Sequence, residues 1–91
     1  MRYFLDKKLA EKLANEAALK IIEELVVDIG IDVSDVLGPS RKAHIVRVRV
    51  VAMKKMRVMG FSLPLVGFAF NRDHATVYHA ISKPDEKKEA T

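Results

Sequence analysis

Ninety-one residues, 49% hydrophobic and 31% charged, make one small domain whose core buries about 60–65% of the unfolded surface, leaving no chain for a nucleotide-binding sheet as well. The absence of cysteine excludes disulfides and thiolate metal sites, the start MRYFLDKKLAEKL has no uninterrupted apolar core of signal-peptide length, and no run approaches the roughly 18 apolar residues a membrane span needs, so the chain reads as soluble, cytoplasmic and without a membrane partner. The formal net charge of +4 is uneven: residues 31–61 carry seven cationic and two anionic side chains, against five and six in residues 1–30, and a basic segment inside a folded unit favours a polyanionic partner.

Residues 2–29 read as one long helix. LDKKLAEKLANEAALKIIEELV lacks Gly and Pro and is rich in Ala, Leu, Glu and Lys, all strong helix formers. Leu5, Leu9, Leu13, Ala17, Ile21 and Leu25 recur every fourth residue and predict an apolar stripe that winds slowly around the helix. Gly30 is a natural stop.

In GIDVSDVLGPSRK, Ser34 is placed to cap a single helical turn, with Asp35 favourable near its N-terminus. Gly38 and Pro39 then break the chain and open a loop that ends in the adjacent cations Arg41 and Lys42.

AHIVRVRVVAMKKMRVM carries two signals. The alternation VRVRV suits a strand, whereas the length and the spacing of Ile45, Val48, Ala52, Met56 and Met59 suit a helix. We read residues 43–59 as helix, ended by Gly60, despite β-branched residues that disfavour it locally.

SLPLVGFAFNRDHATVYHAISK predicts two short helices joined by a tight turn. Ser62 is an N-cap with Pro64 tolerated in the first turn, and Leu63, Val66, Phe68 and Phe70 supply apolar faces. Asn71 suits the left-handed position of the turn. Asp73 caps the second helix, whose buried edge is Val77 and Ile81. Two helices joined in this way, the second opening on polar residues, form a helix-turn-helix pattern. The closing PDEKKEAT is a polar tail over 84–91.

The residue types in NRDHATVYHAISK also suit an active site or a metal site, but their spacing does not. Asp73 and His74 are adjacent, so on a helix their side chains diverge by about 100° and form no dyad. No nucleophile accompanies them, and no enzymatic activity is expected. His74 and His79 are five apart, whereas paired helical metal ligands sit at i, i+4, and His44 lies in another segment. No metal or cofactor is expected, and a partly buried packing role suits His79 as well as any functional one. For nucleic acid the pattern fits better. The first residues of the second helix of a helix-turn-helix meet base edges in the major groove, here Asp73, His74, Ala75 and Thr76. His can donate to a base or phosphate, Thr can hydrogen-bond, and Ala can pack on a thymine methyl. Arg47, Arg49, Lys54 and Arg57 could line phosphates from the preceding helix, although Lys54, Lys55 and Arg57 serve equally as a solvated surface.

The segments VSDVLGPSRKAHIVRVRVVAM, FSLPLVGFAF and RDHATVYHA, in this order, together resemble the C-terminal DNA-binding domain (domain IV) of the bacterial replication initiator DnaA. The resemblance covers about residues 20–83, and SLPxxG and RDHxTVxHA are its most specific parts. It implies an all-α helical bundle with a Trp-repressor-like helix-turn-helix, here preceded by a long N-terminal helix. It further implies binding to double-stranded DNA at DnaA-box-like sites. Carried over by position, Arg41 matches the basic-loop arginine that enters the minor groove, with Lys42 beside it. Arg49 matches the helix arginine that grips phosphate, and Arg47 a second basic position. Leu63 and Pro64 match the pair that packs near the DNA, and Asp73, His74, Ala75 and Thr76 match the base-reading and backbone-contacting positions. The chain departs from the family pattern at Ala75 (Thr), Val50 (Gln) and Leu65 (Glu). It is also one residue shorter before Gly60 and has the single Asn71 where the pattern has Gly-Gly. These departures bear on sequence preference more than on fold.

The organisation expected is one helical DNA-binding domain over 1–83: a long helix at 1–29, a turn and basic loop at 30–42, a helix at 43–59 and a helix-turn-helix at 62–83. No GxxxxGK[ST] phosphate loop is present, so no nucleotide partner or ATP-driven origin unwinding is expected of this chain. An initial Met followed by a helix suits a naturally short protein, such as a phage or mobile element would carry. The rival reading is a protein-interaction module, self-associating through the N-terminal helix, with a vestigial DNA face. Ala75 and Val50 favour it, and light scattering with a DNA titration separates the two.

Overall fold

The computed structural model describes residues 6–82. Residues 1–5 of the expected first helix, Lys83 and the 84–91 tail lie outside the described residues. Five helices follow one another: α1 (Lys7–Val26), α2 (Val33–Leu37), α3 (Ala43–Val58), α4 (Leu63–Phe70) and α5 (His74–Ser82). No strand occurs among the described residues, as the all-α expectation requires.

α1 packs on α3 and α4 and touches α2. Its buried face is Ala14, Ala18, Ile21, Ile22 and Val26, spaced by three or four residues as a 3.6-residue helix demands. The predicted every-fourth-residue stripe is corrected. Of its described members only Ile21 is buried, Ala17 and Leu25 are half-buried, and Leu9 and Leu13 remain 43% and 39% exposed; Leu5 lies outside the described residues. A four-residue step overshoots a full turn by about 40°, so the stripe leaves the bundle toward the N-terminus. No residue of 7–13 is buried, and the described residues measure 49 × 25 × 19 Å, so the start of α1 projects from the bundle.

α2 begins two residues earlier than expected. Asp32, in extended conformation, is its N-cap, and its carbonyl accepts from the Asp35 and Val36 amides at 3.0 and 3.4 Å. Ser34 is therefore inside the helix and not its cap, whereas Asp35 lies in the first turn as expected. Val36 is fully buried and anchors this short helix to the core.

α3 settles the strand-or-helix ambiguity in favour of helix. Ile45, Ala52 and Met56 are buried as predicted, joined by Met53 and, unexpectedly, Arg49. Met59 is exposed because the helix has already closed: the Gly60 amide bonds the Arg57 carbonyl, and Gly60 takes φ +104°, a conformation other residues rarely adopt.

α4 and α5 complete the core with Val66, Phe70 and Val77, which lie fully buried with Ile22, Val36, Met53 and Met56. Ser62 caps α4 by accepting from the Leu65 amide at 3.4 Å, and Pro64 occupies its first turn. Phe68 points out, 47% exposed. Gly67 sits where the chain doubles back, and a β-carbon there would collide with the Arg72 carbonyl oxygen. Because that obstacle is backbone, Gly67→Ala should behave as overpacking, costing about 1–3 kcal/mol and lowering Tm by at least about 4 °C. Thermal unfolding by circular dichroism measures this, and an unchanged Tm would show that the turn moves aside freely.

Candidate nucleic-acid interface

The turn between α4 and α5 is built by its own backbone. Asn71 takes φ 57°, ψ 45°, the left-handed conformation predicted for it. The Asn71 and Arg72 amides donate back to the Phe68 and Gly67 carbonyls at 3.2 and 2.8 Å, ending α4. Asp73 then caps α5, its Oδ1 accepting from the Ala75 and Thr76 amides at 2.9 and 3.3 Å. With Val77 buried and Ala80 and Ile81 half-buried, α5 lies on the bundle by one edge. His74, Ala75, Thr76, Tyr78 and His79 are exposed. His79 is thus not a packing residue; its ring meets Tyr78 edge-on, with centroids 5.8 Å apart. Among the described residues no group of three or more His, Asp or Glu is placed to hold a metal ion.

The basic loop is held from beneath by Arg49. This side chain, only 6% exposed, lies on the core-facing stripe of α3. Its Nε donates to the Val36 carbonyl at 2.8 Å. One terminal nitrogen reaches the Asp35, Gly38 and Ser40 carbonyls at 3.4, 3.1 and 3.0 Å. Asp35 and Val36 lie in the last turn of α2, where carbonyls lack intrahelical partners and the helix dipole favours a cation. Arg49 therefore closes α2 and fixes the following loop in one contact. Burial lowers its pKa from the ordinary arginine value, and the neighbouring Arg72 guanidinium lowers it further.

Arg72 was assigned no role from the sequence. Half-buried in the α4–α5 turn, it donates to the Phe70 carbonyl at 2.6 Å and to the Gly38 carbonyl at 2.8 Å. Burial lowers its pKa too. The Gly38 oxygen thus accepts from both arginines, using both of its lone pairs. Above this pair, Arg41 from the loop and Thr76 from the first turn of α5 line one open cleft of about 590 Å³ with Pro39, Ser40 and Asn71. No carboxylate among the described residues bonds either guanidinium.

Comparison with known proteins agrees with the helix-turn-helix fold. The family model described as "Bacterial dnaA protein helix-turn-helix" matches residues 19–83, which includes α2 to α5 and the cleft between them. The chain belongs to the bacterial DnaA helix-turn-helix family. It is 38% identical over 79 residues to the chromosomal replication initiator protein DnaA of Lactococcus lactis subsp. cremoris, covering 85% of this chain and 17% of that protein. It is 40% identical over 82 residues to the DnaA of Neisseria meningitidis serogroup C, covering 88% and 16%. With the DnaA of Limosilactobacillus reuteri the identity is 40% over 72 residues, covering 76% and 16%. The chain thus spans about a sixth of the length of the DnaA proteins it matches. No solved structure matches it.

Within this DnaA-family fold, the residues singled out from sequence divide. Arg41, Lys42 and Arg47 are exposed, as are Pro64, Asp73, His74, Ala75 and Thr76, while Leu63 is half-buried. Arg41 and Thr76 are brought into one cleft; Leu63 and Pro64 stand apart from it, at the start of α4. Arg49 does not face outward with Arg47. Two residues apart on a helix, the pair point about 200° from each other, so only one can face solvent. Arg49→Met should accordingly act on stability. Leaving one buried carbonyl unsatisfied costs about 1–3 kcal/mol, and loss of this guanidinium affects several carbonyls, so a loss of about 2–4 kcal/mol is expected in urea unfolding. Arg47→Ala, at an exposed position, should stay within about 0.5 kcal/mol of the parent. Equal effects from the two substitutions would contradict the assignment.

Proposed function

We propose that this DnaA-family chain is a sequence-specific double-stranded-DNA-binding module, related to replication initiation or its regulation. It acts without catalysis and without a nucleotide, in the cytoplasm on the nucleoid. The observation that carries this reading is the cleft where the basic loop and the first turn of α5 meet over the Arg49–Arg72 pair. A helix lying in a major groove and a loop probing the adjacent minor groove are separated by one phosphate backbone. A concave, cationic space between those two elements suits that strand.

The roles follow from exposure and chemistry. His74, Ala75 and Thr76 present a donor, a methyl and a hydroxyl to base edges, and each good base contact is worth about 1–3 kcal/mol of discrimination. Asp73 holds the helix terminus that carries them. Arg41 probes the minor groove, while Lys42 and Arg47 hold phosphates. Leu63 and Pro64 pack near the sugar–phosphate chain. DnaA-box-like sequences are the expected targets, with Ala75 supplying a methyl where the family pattern has a threonine hydroxyl.

Counting Lys42 and Arg47 on phosphates and Arg41 in the minor groove as three cations that displace counterions from the duplex, log K should fall with log salt with a slope near −2.7, about a fortyfold loss between roughly 50 and 200 mM. His74→Ala should flatten the preference among sequences, whereas Arg47→Ala should weaken binding to all of them about equally. Fluorescence anisotropy with labelled duplexes measures both effects. Binding that is flat in salt, or a His74→Ala protein as selective as the parent, would overturn the reading.

A further inference from the structure

We infer that Arg72 is a positioning residue for sequence recognition: with Arg49, it ties the basic loop to the start of α5 through the Gly38 carbonyl. It thereby fixes the distance and orientation between the element carrying Arg41 and the element carrying His74. The inference rests on the proposed DNA-binding role, but the tether itself is a statement about the free protein.

The two elements are far apart in sequence and share no continuous secondary structure. Gly38 and Arg72 are 34 residues apart, joined by the 2.8 Å hydrogen bond. Arg49 secures the loop to α3 at the same oxygen and at Ser40. Arg72 is the only side chain among the described residues that hydrogen-bonds from the α4–α5 turn to the loop. Its second bond, to the Phe70 carbonyl at 2.6 Å, sets its direction by pinning the guanidinium to the end of α4. The other forces on the loop do not fix it relative to α5. Pro39 is exposed, and Lys42 leads directly into α3. Without Arg72 the loop would stay attached to α3 by Arg49, yet its tip would be free to shift against α5. A planar fork with donors on two nitrogens can bridge two carbonyls, whereas a glutamine is too short and a lysine reaches one as a point donor.

The experiment compares the parent, R72Q and R72K in two ways. In the free proteins, heteronuclear ¹⁵N relaxation reads the order of the Gly38, Ser40, Arg41 and Lys42 amides. R72Q should lower it while α5 amides keep theirs, and R72K should recover part of the loss. In the second arm, duplexes selected from a random pool give the base preference position by position. R41A and H74A identify the positions read by the loop and by the helix. R72Q should lose preference at the loop-read positions and retain it at the helix-read ones. Unchanged loop order in R72Q would overturn the tether. Equal loss at loop-read and helix-read positions would reduce Arg72 to a general folding role, and an unchanged preference profile would remove its role in recognition. If the parent selects no sequence, the DNA-binding reading fails, and the positioning inference fails with it even where the relaxation arm upholds the tether.

Discussion

The guanidinium of Arg49 holds the end of α2 and the basic loop that follows it. A five-residue helix such as α2 is too short to be stable alone, and its last carbonyls would be left without partners. Arg49 reaches those carbonyls from the core side of α3 and continues along the chain to Ser40. One side chain thus holds the segment after α2, residues 38–42, which has no helix or strand of its own. The loop can be irregular and still hold one conformation, which is what presenting Arg41 in a defined direction requires.

That arrangement has an electrostatic cost. Arg49 and Arg72 converge on one oxygen, are both partly desolvated, and no carboxylate among the described residues bonds them. Among the described residues each guanidinium bonds backbone carbonyls and no carboxylate, which leaves its positive charge uncancelled at the floor of the cleft. A carboxylate partner would relieve the pair and also cancel the field that draws an anion. Placing backbone carbonyls there keeps the charge, and the two cations add to the exposed Arg41 above them. The same hydrogen bonds therefore hold the loop and keep the cleft cationic, the two features the proposed DNA-binding role calls for.

The α4–α5 unit was readable from the sequence because local chemistry decides it. Ser62, Asn71 and Asp73 each do at a helix end what their side chains favour in isolation, and the structure shows all three in those roles. α3 was readable through its spacing, even though VRVRV alternates like a strand. Three features were not. The buried face of α1 shifted from Leu9 and Leu13 to Ala14 and Ala18, because small residues admit close helix packing and propensity says nothing of neighbours. Ser34 lies inside α2, which starts from Asp32 through that residue's backbone carbonyl without a side-chain cap. The tasks of Arg49 and Arg72 depend on carbonyls supplied by distant segments, and no periodicity reports those. The opposite directions of Arg47 and Arg49 were nevertheless implicit once the segment was read as helix.

The central claim is that a loop and a helix, held as one rigid unit, read two adjacent grooves. Methylation interference on a selected duplex tests it most directly, since the reagent marks guanine N7 in the major groove and adenine N3 in the minor groove. The account predicts interference in both: at guanines facing α5, and at adenines facing Arg41 about half a helical turn away, roughly 5 base pairs. Interference confined to one groove, or absent from a duplex the protein binds selectively, would contradict it.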